Sequence, residues 1–136
     1  MENNHGLQNI KIGKTGVAKT TVSDSNTAKA VWSGSLDVFA TPMMIALMES
    51  AACECLADCM DTGQTSVGNM INVEHTKASP IGAEIKASAT IESVNGRKIV
   101  FTVAANDDSG EIGKGRHERT IIDAERFMSK LEKTGG

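Results

Sequence analysis

Aromatic residues are nearly missing from this sequence: tyrosine is absent, and Trp32, Phe39, Phe101 and Phe127 are the whole complement. That excludes a platform for stacking nucleic-acid bases. It also leaves the core to Val, Ile, Leu, Ala and Met. Excess positive charge is missing too: 14 Lys and Arg stand against 17 Asp and Glu, a net charge of -3. Nucleic acid is therefore not expected as a partner. No long apolar run exists, because Glu49, Ser50, Glu54 and Asp58 break the most apolar stretch. A membrane span is excluded on that pattern. The opening residues Met1-Glu2-Asn3-Asn4-His5-Gly6 lack an apolar h-region, so export is not expected. Cysteine is confined to Cys53, Cys55 and Cys59, an odd and crowded set. Such a set is no secreted disulfide framework and predicts reduced thiols in the cytoplasm. Cys55 and Cys59 stand one helical turn apart with no second ligand pair, so no metal site is expected and both read as packing residues. Ile112-Gly113-Lys114-Gly115 lacks the phosphate-loop spacing and falls in a strand-like run.

What is present suits one globular domain over residues 1–136, with residues 1–14 as a loose polar tail. Thr15 to Val22 is a β-leaning run, Ser23-Asp24-Ser25-Asn26 a turn, and Ala28 to Trp32 a short strand. Thr41-Pro42 reads as an N-cap followed by proline at the first helical position. From Met43 to Met60 no glycine or proline follows, and Met44, Ile45, Leu47, Met48, Ala51, Ala52, Cys55, Leu56 and Cys59 recur at helical spacing. The first half of this helix is apolar nearly all round and should be largely buried. Asp61-Thr62-Gly63 ends it.

The period then changes to two. Val67, Ile71, Val73 and His75 share one face of a strand, with Gly68, Met70, Asn72 and Glu74 on the other. After a Ser79-Pro80-Ile81-Gly82 turn, Ile85, Ala87, Ala89 and Ile91 alternate with polar residues. Asn95-Gly96 marks a hairpin, and Ile99, Phe101, Val103 and Ala105 form the returning apolar face. A further turn at Asn106–Gly110 leads to a last strand over Glu111–Ile122, and Asp123 caps a short helix through Leu131. The fold class is α+β, an antiparallel sheet of about five strands with one long helix. If the sheet curls around that helix, the architecture is the hot-dog fold.

Three residues stand out chemically. Glu49 sits in the most apolar part of the helix, where a carboxylate loses hydration and its pKa tends upward. Such a group acts as a general base or a nucleophile near neutral pH. It also fits an ordinary polar stripe with Glu54 and Asp58. Thr41 is an ordinary helix cap, yet the same helix N-terminus would polarise a carbonyl and stabilise an oxyanion. His75, on the apolar side of its strand, is either a hydrogen-bonded core histidine or an acid/base. Eight positions separate Thr41 from Glu49, roughly 12 Å along one helix. Both cannot easily reach one carbon, but a two-fold dimer could bring Thr41 of one chain towards Glu49 of the other. His117-Glu118-Arg119 fits a solvated strand edge, or an arginine that holds a phosphate.

Three stretches together resemble the fluoroacetyl-CoA thioesterase family of hot-dog proteins: Val38 to Glu49; Gly63 to Gly68, continuing through Val73-Glu74-His75-Thr76 to Ser79-Pro80-Ile81-Gly82; and Glu111 to Arg119. The likeness runs in order from about Ala30 to Phe127. It implies an acyl-CoA substrate, a homodimer or a larger assembly of dimers, and no metal or other cofactor. It implies that Thr41, Glu49 and His75 are catalytic. Thr41 would polarise or position the substrate, Glu49 would attack the acyl carbon or activate water, and His75 would assist proton transfer. It places Gly68 beside the acyl group and gives Arg119 a part in binding substrate or CoA. The family's fluoroacetyl-specific enzyme closes its acyl pocket with a phenylalanine lid. Here that stretch is Trp32-Ser33-Gly34-Ser35-Leu36-Asp37, so a different short-chain or small aryl acyl group is expected. The alternative is a non-catalytic acyl-CoA or small-ligand binding protein on the same scaffold. A hydratase would need a separate acid/base pair against an enoyl group, and no motif for one stands out.

Overall fold

The computed structural model describes residues 10–135. Its elements run β1 (Thr15–Thr21), α1 (Thr41–Leu56), a 3-10 turn (Ala57–Cys59), β2 (Gln64–His75), β3 (Glu84–Asn95), β4 (Lys98–Asp107), β5 (Gly110–Asp123) and α2 (Ala124–Gly135). The five strands form one antiparallel sheet in the order β1-β3-β4-β5-β2. The sheet curls around α1, the hot-dog architecture.

Alternation builds the core. Ile85, Ala87, Ala89 and Ile91 of β3 and Ile99, Phe101, Val103 and Ala105 of β4 are buried, while their neighbours face out. Met44, Met48, Ala51, Ala52, Cys55 and Leu56 of α1 press against them. At β1 the approach is close enough to require glycine: a Cβ on Gly16 would lie 2.3 Å from the Ala51 carbonyl oxygen. The β3–β4 hairpin turns on Gly96 and Arg97, one position later than Asn95-Gly96, with Asn95 paired to Lys98 and Gly96 at φ 64°. Asp123 caps α2 as expected, its Oδ1 accepting the Arg126 N–H at 3.0 Å.

Other expectations need correction. Ala28 to Trp32 is a series of turns, not a strand. Val31 N–H reaches Thr27 C=O (3.1 Å), Ser33 N–H reaches Ala28 C=O (2.9 Å), and Trp32 has φ 65°. The tail predicted over residues 1–14 lies outside the described residues as far as residue 9. Ile10 packs against the core and Gly13 N–H reaches Ile91 C=O at 2.8 Å, while Lys11, Ile12 and Gly13 are exposed. The first half of α1 is not buried all round: Thr41, Pro42 and Ala46 are exposed, and Met43, Ile45 and Leu47 are half-buried. One sheet covers one side of the helix, and among the described residues no second layer covers the other. Finally, β2 does not keep one face throughout. A bulge at Asn69 shifts the register between Gly68 and Met70. Val67 therefore parts from Ile71, Val73 and His75, and Gly68 joins their face instead.

Candidate active site

The first cleft forms where α1 begins. Ala40, not Thr41, is the capping residue: its backbone is extended (φ -76°, ψ 138°) and no side chain caps the helix. Thr41 is thus the first helical residue, and its hydroxyl is free to bond elsewhere. It meets His75 Nδ1 at 2.8 Å, from the end of β2. The helix start offers few loose donors for an oxyanion. Pro42 has none, and the N–H groups of Met43 and Met44 both turn back to Ala40 C=O at 3.0 Å. The Thr41 hydroxyl adds a side-chain donor at this helix end. His75 Nε2 is buried with no hydrogen-bond partner among the described residues. Burial pushes the His75 pKa below the usual imidazole value, against a smaller opposing pull from the Lys77 backbone. A neutral ring with its proton on Nδ1 donates to the Thr41 oxygen and leaves the Thr41 proton for an oxyanion. The surrounding cleft, of about 240 Å³, is lined by Ala28, Phe39, Thr41, His75 and Lys77, among others.

A second cleft, of about 300 Å³, lies further along α1 and is lined by Glu49, Gly68, Asn69, Met70, Ile71 and His117. The bulge at Asn69 and the absence of a side chain at Gly68 make room for the carboxylate. A Cβ on Gly68 would stand 2.8 Å from Glu49 Oε2, 3.1 Å from His117 Cε1 and 3.2 Å from an Arg119 terminal nitrogen. Glu49 is not desolvated as the apolar helix suggested, since 41% of its side chain is exposed. Its charge faces Arg119 Nη1 at 3.6 Å and His117 Nε2 at 4.0 Å.

Arg119 is neither at a solvated edge nor turned outward to a phosphate. It is 7% exposed, and its Nε donates to Ser66 Oγ at 2.8 Å and its Nη2 to Ser66 C=O at 3.0 Å. Its Nη1 lies 3.1 Å from His117 Nε2. Arginine can only donate, so Nε2 accepts, and His117 Nδ1–H donates to Met70 C=O at 2.8 Å. His117 is 1% exposed. Burial, with Arg119 adding to it, pushes its pKa down against the Met70 carbonyl and Glu49. Its ring also stacks on Phe101, centroids 6.1 Å apart.

Sequence reasoning named Glu49, Gly68 and Arg119 but missed His117 and Ser66 as their supports. The signal was available: His117 and Arg119 share the period-two face of Gly113 and Ile121, which are buried. The two clefts share no lining residue, so Thr41–His75 and Glu49 do not converge within one chain. A larger cavity, about 500 Å³ between Asn72, Thr102 and Arg116, contains none of these residues. Cys55 and Cys59 are free and buried, and burial pushes the Cys55 thiol up to about 11. Among the described residues no group of three or more His, Cys, Asp or Glu side chains is arranged to hold a metal ion.

Comparison with known proteins returns one family. The sequence profile described as fluoroacetyl-CoA-specific thioesterase matches residues 22–125. A fluoroacetyl-CoA thioesterase of Streptantibioticus cattleyicolor is 41% identical over 95 residues, 70% of this chain and 68% of that protein. A crystal structure of the fluoroacetyl-CoA thioesterase superposes with a TM-score of 0.87 at 32% identity, covering 92% of this chain and 97% of the other. A mutant of that enzyme bound to fluoroacetate and CoA gives 0.82 at 33% identity, over 87% and 99%. A Thermus thermophilus member of the thioesterase superfamily shares the fold, at TM-score 0.84 and 24% identity over 91% and 92%.

Proposed function

Because the chain belongs to the fluoroacetyl-CoA-specific thioesterase family, we propose that it hydrolyses an acyl-CoA to the free acid and CoA, with Thr41, Glu49 and His75 as the reacting group. The hydrogen bond between Thr41 and His75 at the start of α1 carries this reading. It joins two of the three residues across 34 positions of sequence.

In this scheme the thioester carbonyl lies against the Thr41 hydroxyl, which stabilises the oxyanion as it forms. Glu49 takes a proton from water, and the hydroxide adds to the acyl carbon. The tetrahedral intermediate collapses, the C–S bond breaks, and the thiolate leaves with a proton relayed through His75. The route in which Glu49 itself attacks gives a mixed anhydride that water then opens. One turnover in H₂¹⁸O marks the second route where water opens the anhydride at the Glu49 carboxyl carbon, since ¹⁸O then enters the Glu49 side chain and not the released acid, whereas direct attack of water on the thioester puts it in the acid alone.

The two clefts become one site if two chains associate. Thr41 and His75 of one protomer would then face Glu49, Gly68 and Arg119 of its partner. Several features support that arrangement. Strand β2 lies at the sheet edge with Met70 and Ile71 exposed beside the Glu49 cleft, and long open edges invite pairing. The half-buried Met43, Ile45 and Leu47 would gain cover. The acyl group is proposed to be a short chain or a small aryl acid, since no phenylalanine precedes Phe39 to close the pocket. We place the protein in the cytoplasm, where its three free cysteines stay reduced. No helix among the described residues is long and apolar enough to cross a membrane.

The test is thiol release across acetyl-, fluoroacetyl-, medium-chain and aryl-CoA, with Glu49→Gln beside the unaltered chain. Turnover that disappears in the variant supports the reading and names the acyl class. Saturable binding of CoA thioesters with no turnover of any of them would make the protein a binder instead.

A further inference from the structure

One buried charge has no part in the chemistry above. Asp107 closes β4, and only 5% of its side chain is exposed. A carboxylate in such a place needs its lone pairs met. Here Oδ1 accepts from Ser109 N–H and Ser109 Oγ, both at 2.8 Å, which fixes the carboxylate on its own turn. Oδ2 accepts from Ser79 Oγ at 2.8 Å, and Lys77 Nζ bridges both oxygens at 2.9 Å. Burial alone would favour the neutral acid. The bonds from Lys77, Ser79 and Ser109 outweigh it and hold the carboxyl well below its usual range, so it is charged at neutral pH.

The two outer arms of this cluster both end at the first cleft. Ser79 is fully buried, and its carbonyl accepts the Phe39 N–H at 2.9 Å. Phe39 precedes Thr41 by two residues, and Val38 bridges to Pro80 beside it. Lys77 follows His75 by two residues and lines the same cleft. Between them, Thr76 and Lys77 N–H groups bond only to Ile112 C=O, at 2.8 and 3.3 Å. One carboxylate thus ties the backbone before Thr41 to the backbone after His75.

We propose that Asp107 is a positioning residue for the hydrolysis, holding the Thr41 hydroxyl and the His75 ring in register through Ser79 and Lys77. This rests on the reading of Thr41 and His75 as reacting groups. It assigns Asp107 no contact with substrate. Its loss misplaces a hydrogen-bonded pair whose two halves come from elements far apart in sequence, and small misplacements of reacting groups are costly.

Asp107→Asn keeps the size and removes the charge. The expected result is a kcat about tenfold lower with KM changed less than about twofold, because alignment and not binding is lost. The decisive comparison repeats the substitution in a Thr41→Ala/His75→Ala chain. There it should change the residual kcat by less than about twofold, since no pair remains to misplace. An unchanged kcat in Asp107→Asn would overturn the inference. So would an equal loss in both backgrounds, the mark of a general structural role. If Asp107→Asn fails to fold, Lys77→Met removes one arm and leaves Ser79 and Ser109 on the carboxylate. It makes the same comparison with an expected loss of about threefold. Full turnover in Thr41→Ala/His75→Ala would instead sink the site assignment itself, and this inference with it.

Discussion

The two clefts along α1 solve different problems with different parts. The first, at the helix start, works through an uncharged pair: a threonine hydroxyl on an imidazole whose pKa burial has lowered. Loops and a strand end position it, with Asp107 behind them. The second, two turns on, is a charge cluster: Glu49 against Arg119, on a strand that must bulge and dispense with a side chain to make room. A neutral pair suits polarising a carbonyl and passing a proton. A half-exposed carboxylate beside an arginine suits activating water or attacking. In the proposed scheme hydrolysis needs both, with the acyl carbon where the two would meet in a dimer.

The sharpest way to break the comparison is at Glu49. Glu49→Gln should lower kcat by about 10³-fold, the range expected for removing a general base. Circular dichroism should show the fold intact, because the side chain is half exposed. Thiol release at retained activity would remove the second cleft from the chemistry. Gly68→Ala comes next. The added methyl lands against Glu49 Oε2 and His117, and displacing the carboxylate by a fraction of an ångström should cost about 10²-fold in kcat. An active Gly68→Ala enzyme would mean that the carboxylate does not need its present position. At the first cleft, Thr41→Ala should cost about tenfold in kcat, the worth of one hydrogen bond in the transition state. Thr41→Ser should keep most of the rate. Equal losses in both would assign Thr41 to packing.

The smallest effect is on stability. His75 and His117 both have pKa values lowered from 6.5 by burial. Below pH 6.5 the unfolded chain binds more protons than the folded one, so stability is complete above that pH and falls as pH drops towards the lowered values. A thermal melt series should show Tm flat above about pH 7 and falling below about pH 6. His117→Gln should flatten part of the fall, and a variant with the full fall would exclude His117 as a contributor.

Much of this was legible in the sequence. Strict alternation over Ile85–Ile91 and Ile99–Ala105 gave two core strands, and Asn95-Gly96 placed their turn to within one residue. Thr41, Glu49 and His75 were identified as chemical oddities before any neighbour was known. The failures have physical causes. A bulge leaves no mark in hydrophobic spacing, so Gly68 was assigned to the outer face. Thr41 resembled a cap because Thr-Pro is a capping pattern, but Ala40 adopts the extended conformation one residue earlier. Arg119 resembled a surface residue because charge is read as exposure. Its partners Ser66 and Glu49 lie far away in sequence, and only His117 is a near neighbour. The exposed side of α1, left uncovered among the described residues, is the part for which neither periodicity nor composition supplies a partner.

The central claim is that the two clefts act together across a dimer. Glu49→Gln chains and Thr41→Ala/His75→Ala chains, each nearly inactive alone, can be unfolded together and refolded as a mixture. Half of the dimers would then be mixed, and each of those would carry one intact site. Thiol release should recover to about one quarter of the unaltered enzyme's rate. If the refolded mixture contains mixed dimers and is no more active than its parts, the composite site is wrong, and each chain must assemble its chemistry alone.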